Sequence, residues 1–286
     1  MYNKKESVIE TVDELFFPSV LKNASSDKEL VVLDDCSPLE KETKALVDKH
    51  LPELKNKFGN VVFEKNPENH GFAKSFNCGI KLASGDKLVI VNDDIYFPLD
   101  TVEALANTLT ESKDYGMIGP ISNYAWSYQH CGQAPKIDSY SQKELWNLEA
   151  FSSFVKDLLK GKRIATDNLV GFCFAMNSDL IKNLGGFDER YNYAFFEDTD
   201  LARRVSQDYE LIINPEVFVY HKGSESLKQE PIKTGMRLLK NACKYSKKWN
   251  DYLGTIKMLV YDNYRVLTGR NTVSELIDKE LSKREG

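Results

Sequence analysis

The sequence predicts an α/β fold, a central, mostly parallel sheet with helices on both faces. Three observations predict it. Short apolar runs rich in β-branched residues ("ELVVLDD", "VVFEKN", "KLVIVNDD", "YGMIGPIS") alternate with amphipathic stretches. Two of the runs, residues 30–33 and 88–91, end in paired acids, Asp34-Asp35 and Asp93-Asp94. The chain has 286 residues, 42% of them hydrophobic and 28% charged, enough to bury one large α/β core or two smaller ones.

In chain order, residues 4–21 space Val8, Val12, Leu15, Phe16 and Val20 as an amphipathic helix. Strands follow at 30–33 and 61–66, a helix at 71–85 closed by Gly85, and a strand at 88–91. A helix over 99–112 carries Val102, Leu105, Ala106 and Leu109 on one face, and 115–122 is a strand. Residues 123–168 hold Trp126, Tyr128, His130, Tyr140, Trp146 and a helix over 144–160. They read equally as a mobile, substrate-facing excursion or as a plain surface insertion. Beyond them come a strand (169–177), a Gly-rich turn (184–191), a helix within 194–205, and two short strands broken at Pro215. The rest is helical with a charged tail.

The net charge of −5 argues against a general nucleic-acid binder. Residues 222–257 nevertheless hold nine Lys/Arg against three acids, either a solvated helix face or a surface for an anionic acceptor or lipid. The five cysteines, Cys36, Cys78, Cys131, Cys173 and Cys243, form no CxxC pair, which favours a reducing compartment. No apolar run approaches the roughly 18 residues of a membrane span, and no signal peptide opens the chain, so a cytoplasmic location is expected.

If strands 30–33 and 88–91 are parallel members of one sheet, their carboxyl ends share an edge, where ligands of such sheets bind. Asp34, Asp35, Asn92, Asp93 and Asp94 then converge. Such hard oxygen ligands suit Mg²⁺ or Mn²⁺, although Asn-Asp is also an ordinary turn sequence. In "FFEDTDLARR", Glu197, Asp198 and Asp200 stand at a helix start, where acids cap and complement the dipole. The preceding phenylalanines raise a neighbouring carboxylate toward general-base range. His221 ends the strand "EVFVY" and becomes a metal ligand only if that strand delivers it to the acids.

The series "VVLDDCSP", "NHGFAKSFNCGIKLASGDKLVIVNDD", "LVGFCFAMNSDLIKNLGGFDERYNYAFFEDTDLARR" and "VYH" resembles the GT-A-fold family 2 glycosyltransferases, especially rhamnosyltransferase-like members that build bacterial surface polysaccharide. The resemblance covers roughly residues 1–250. It implies a metal-dependent, inverting transfer of a sugar from a nucleoside-diphosphate donor to a hydroxyl of a glycan or lipid-linked glycan. Asp34 and Asp35 would hold the base and ribose, with Lys74, Asn92 and Asp93 also on the donor. Asp94 and His221 would hold Mn²⁺ or Mg²⁺. Asp198 would be the base, with Glu197 toward the acceptor.

The same resemblance divides the chain into a catalytic domain, 1–225, with a nucleotide-binding half (1–122) and an acceptor half (123–225), and a helical extension, 226–286. The basic excess of 222–257 adds peripheral membrane contact, and a partner protomer filling a missing strand would add a homo-oligomer, as further expected partners. Family members open with a strand of the type "VSIIIPTYN", of which this sequence matches only Tyr2-Asn3, so the usual first strand is expected to be missing and the site impaired or completed otherwise. Two rivals stand beside the enzyme. One is a non-catalytic nucleotide-sugar-binding scaffold, and the other a sugar-nucleotide pyrophosphorylase, which lacks its Gly-rich phosphate loop here.

Overall fold

A computed structural model describes the chain apart from residues 126–127, 133, 192, 224–230, 269–271 and 286. Trp126 and part of the basic 222–257 segment therefore lie outside the described residues. The first helix, α1, is continuous through Glu6–Thr11, Val12–Phe16 and Phe17–Lys22. Its middle turn is π-helical, directly ahead of Pro18, whose ring and absent N–H disrupt a regular ladder.

There follow β1 (Glu29–Asp34), α2 (Glu40–Lys57), β2 (Asn60–Lys65), α3 (Gly71–Leu82), β3 (Lys87–Val91), β4 (Ile95–Tyr96), α4 (Thr101–Thr108) and β5 (Tyr115–Ser122). Next are α5 (Gln142–Leu158), β6 (Ile164–Thr166), β7 (Cys173–Asn177), α6 (Ser178–Asn183), α7 (Glu197–Val205) and β8 (Glu210–His221). The chain closes with α8 (Pro231–Trp249), α9 (Tyr252–Thr268) and α10 (Thr272–Glu285). No described helix is long and apolar enough to cross a membrane.

The sheet corrects two expectations. It is mixed rather than mostly parallel: β1–β2 and β5–β8 pair in parallel, whereas β3–β7, β5–β7, β6–β8 and β4–β8 are antiparallel. Strands β1 and β3 also lie in different ladders, β1–β2 standing apart from the order β3-β7-β5-β8-β4. Both are edge strands, so no backbone bonds join the two acidic strand ends.

Two further expectations change. Pro215 does not break β8, because the register with β5 shifts between the Pro120–Asn214 and Ile121–Phe218 pairs. Proline is tolerated at such a bulge, where no ladder N–H is needed. Within 123–168, helix α5 and strand β6 do not stand off the sheet: Leu145, Leu148, Val155 and Leu158 of α5 are buried in the main core, and β6 pairs with β8. Helix α2 is not anticipated, since its stripe of Thr43, Leu46, Val47 and Leu54 is thin and Pro52 interrupts it.

Apolar residues of β5, β7 and β8 alternate between two clusters on opposite faces of the sheet. Val273 and Ile277 of α10 enter the same cluster as α5, so the last helix packs into the main core.

Candidate active site

The acids at the end of β3 meet β8 through β4. That two-residue strand sets Ile95 opposite His221, and Lys222 N–H donates to Asp94 C=O at 3.0 Å. Asn123 clamps the histidine from the side: its Oδ1 accepts from His221 N–H (2.7 Å) and its Nδ2 donates to His221 C=O (2.9 Å). Phe172 stacks on the imidazole with centroids 5.2 Å apart and planes 16° apart, and Tyr124 meets it edge-on.

His221 Nδ1 lies 2.8 Å from Tyr124 C=O. A carbonyl only accepts, so this nitrogen carries a proton. Nε2 is 3.2 Å from Asp94 Oδ1, a buried oxygen that makes no hydrogen bond among the described residues. Asp93 Oδ2 is likewise buried without a hydrogen bond, 3.8 Å from the Met1 ammonium. An imidazole nitrogen facing a carboxylate oxygen beside a second carboxylate fits a hard divalent cation. No set of three His, Cys, Asp or Glu side chains converges for a metal among the described residues, so the remaining ligands would come from substrate and water.

Elsewhere in the cleft lining, the chain enters α7 through a strained turn. Tyr193, Phe195 and Phe196 all have positive φ (71°, 79° and 73°), a conformation costly for aromatic residues. Helix α8 holds the turn: Asn241 Nδ2 donates to Ala194 C=O (2.9 Å) and Phe195 C=O (3.1 Å), and Tyr245 packs on Phe196 at 5.2 Å. The strain fixes the next two residues, Glu197 and Asp198.

Asp198 Oδ2 accepts from Gly171 N–H (2.8 Å) and Oδ1 from Thr199 N–H (2.7 Å). Burial nonetheless raises its pKa above the usual carboxylate range. Glu197 is 5% exposed, and its Oε2 has no hydrogen-bond partner among the described residues. Burial first, and the adjacent Asp198 charge second, push it up to about 8. Asp200, at the same helix start, is fully buried and bound by Arg204, Lys248 and Trp249, which makes it a structural hub.

Asp35, Asn92, Asp93, Asp94, Glu197, Asp198 and His221 all line one cleft of about 1390 Å³. Two expected residues do not line it. Asp34 is buried, and its Oδ1 accepts from Ser37 N–H and Oγ. Lys74 stands on the surface of α3, 3.8 Å from Glu68. Asp35 lines the cleft but spends its oxygens on Asn66 Nδ2 and on the His70 and Gly71 N–H groups at the start of α3. Asn123 and Asn241 position the site from outside any quoted motif, and Gly171 and Phe172, inside the block that begins LVGFCF, had no role assigned by sequence.

Acids and a histidine gathered at the carboxyl end of β3 thus share one cleft with a carboxylate pair on a strained helix start. The family model for glycosyl transferase family 2 matches residues 1–185, and the chain belongs to that family. Among curated proteins, none matches the sequence significantly.

Solved structures share the fold. Mannosyltransferase PcManGT from Pyrobaculum calidifontis, in complex with GDP-Man and Mn²⁺, is similar at TM-score 0.58 and 16% identity over 99% of this chain and 72% of that one. GalNAc-T7 with UDP, GalNAc and Mn²⁺ is similar at 0.54 and 16%, over 87% of this chain and 50% of that one. S. aureus TarS 1–349 with UDP is similar at 0.53 and 17%, over 77% of this chain and 58% of that one. The chain thus spans less than two thirds of the last two.

Proposed function

We propose that this protein transfers a sugar, with inversion, from a nucleoside-diphosphate donor to a hydroxyl of a glycan or lipid-linked glycan. The observation that supports it most is the convergence of Asp93, Asp94 and His221 with Glu197 and Asp198 in one cleft. The Mn²⁺ in the structures of PcManGT and GalNAc-T7 agrees with the pairing of Asp94 and His221. A divalent cation held there would supply Lewis-acid neutralisation of the charge left on the departing diphosphate.

Asp93 and Asn92 face the donor from the end of β3, and Asp35 faces it from β1. Asp198 takes the proton of the acceptor hydroxyl, which is a poor nucleophile until it is deprotonated. Glu197, pushed up to about 8 by burial and by the adjacent Asp198, holds its own proton at neutral pH, which leaves the role of proton acceptor to Asp198. Attack from the face opposite the leaving group inverts the anomeric carbon.

On α8 and α9, Ile232, Met236, Leu239, Leu253, Ile256 and Val260 are exposed beside Lys233, Lys240 and Lys257. That surface supports contact with an anionic membrane carrying the acceptor.

The test pairs binding with turnover. UDP-, GDP- and dTDP-sugars are screened by thermal shift with Mn²⁺, and nucleoside-diphosphate release is followed for the donor that binds. Asp198→Asn is expected to keep donor binding and lower turnover by about 10²–10⁴, the usual share of general-base catalysis. Full donor binding with no turnover in the unmodified protein, whatever acceptor is offered, rejects the catalytic reading.

A further inference from the structure

Helix α8 carries two rows of side chains along its length. Ile232, Met236 and Leu239, spaced i, i+4 and i+7, form an exposed apolar stripe, and Lys233, Arg237, Lys240, Lys244 and Lys248 run beside it at helical spacing. The far end of the basic row is committed to structure. Lys244 Nζ donates to Arg190 C=O and Asn241 Oδ1, and Lys248 Nζ donates to Asp188 and Asp200. Arg237 is different. Half-buried, it lines the cleft that holds Glu197 and Asp198, with its guanidinium carbon 4.6 Å from the centroid of the Tyr193 ring.

Arg163, Arg190, Arg203 and Arg204 each pair with a carboxylate. Arg237 makes no ion pair and no hydrogen bond among the described residues. A guanidinium is always charged, and contact with an aromatic ring orients it while leaving its N–H donors available to an anion. The ring is itself held in place. Tyr193 stands in the strained turn, whose next two carbonyls are bound by Asn241, and its backbone abuts Gly71, where a Cβ would lie 3.2 Å from Tyr193 Cα. The ring is 54% exposed, so the cation stands on an open, fixed wall of the cleft.

We propose that Arg237, oriented by Tyr193, is a phosphate subsite for the acceptor, and that the acceptor is a glycan joined to an apolar chain through that phosphate. The phosphate oxygens accept from the guanidinium, whose fork of donors matches them. The apolar chain lies along Ile232, Met236 and Leu239, and the sugar lies on the cleft side, where Asp198 is. A phosphorylated glycan without the chain would satisfy Arg237 and leave the adjacent stripe without a use. The assignment rests on the transfer reading and names the acceptor for it.

Calorimetry on the full chain uses three probes: geranyl monophosphate (phosphate and chain), geraniol (chain alone) and glucose 1-phosphate (phosphate alone). EDTA is present, so that no metal draws phosphate to Asp93 and Asp94. Nucleoside-diphosphate affinity with Mn²⁺ is measured separately on the same proteins. Geranyl monophosphate is expected to bind saturably and at least about tenfold more tightly than either other probe. Arg237→Gln should weaken it at least about tenfold, the size of a lost charge-assisted hydrogen bond, and leave nucleotide affinity within about twofold. Lys41→Gln, which removes the same charge from the exposed surface of α2, should change neither affinity. Should Arg237→Gln fail to fold, Arg237→Lys replaces it, and the loss of the planar fork is expected to weaken the probe at least about threefold. An unchanged affinity in the Arg237 variant overturns the proposal. So do the absence of saturable binding, equal binding of either partial probe, and equal weakening by Lys41→Gln. The two readings fail apart. A parent that binds geranyl monophosphate but no nucleoside diphosphate overturns the acceptor role together with the transfer reading, whereas nucleotide binding with an indifferent Arg237 variant overturns the phosphate subsite alone.

Discussion

At Glu197, burial and the neighbouring Asp198 act in the same direction, and the sign of the consequence can be worked out. Its pKa in the folded chain is about 8 against an ordinary 4.5. Between those values the native state keeps a proton that the unfolded state has lost, so stability falls as pH rises through that window. Glu197→Gln removes this component. Thermal denaturation from pH 4.5 to 9 should show the variant gaining on the parent as pH increases, most above pH 8. The ligand pair gives a second test at the same scale. Asp94→Ala, and separately His221→Ala, should abolish the Mn²⁺-dependent part of nucleotide affinity in calorimetry while far-UV circular dichroism stays unchanged. Metal dependence that survives both substitutions rules out these two residues as the ligands. The position of Asp94 at a strand end was legible in the sequence. That His221 stands beside it was not, because their meeting rests on β4, two residues long and without periodicity.

At the scale of elements, helix α8 holds the strained turn before α7 through the hydrogen bonds of Asn241 and the packing of Tyr245. Asn241→Ala removes both bonds to the strained carbonyls, a loss of about 1–3 kcal/mol at roughly 0.5–1.5 each. Turnover should fall with stability, and Asn241→Asp should give no rescue, since a carboxylate has no N–H to donate. A variant that loses stability but keeps its turnover means that the turn holds its shape without α8. The Gly-rich turn after α6 makes a related point. Gly186 has φ of 71°, and a Cβ there would lie 2.2 Å from Asn77 Oδ1, the atom that accepts from Phe187 N–H. Gly186→Ala should therefore cost at least about 1–3 kcal/mol by strain alone, measured by urea denaturation. The glycines were visible in the sequence as a turn. Their partner Asn77 was not, because a polar residue on a helix carries no mark of what it faces 110 residues away.

For the whole molecule, the alternation of strands and helices and the order of the acidic blocks were enough to give the fold class and most of the cleft. What local pattern could not give was the antiparallel pairing of β7 with β3, since pairing partners are set by distant contacts. It also missed that Asp34 is consumed by Ser37 and that Asp200 is a buried ionic hub. An acid's pairing partners cannot be read from its neighbours in sequence. The split sheet bears on how the molecule comes apart. Among the named strands, no ladder joins β1–β2 to the larger sheet, and Leu30 and Val61 reach the shared core only as partly buried side chains. Side-chain packing couples two blocks less tightly than a continuous ladder, so the β1–β2 layer can open as a cooperative unit of its own. Scanning calorimetry should then return a calorimetric enthalpy larger than the van't Hoff value, the mark of unfolding in more than one step. Equal enthalpies would mean that α1, whose Val12, Phe16 and Val20 lie in the cluster shared by both layers, is enough to make them melt as one.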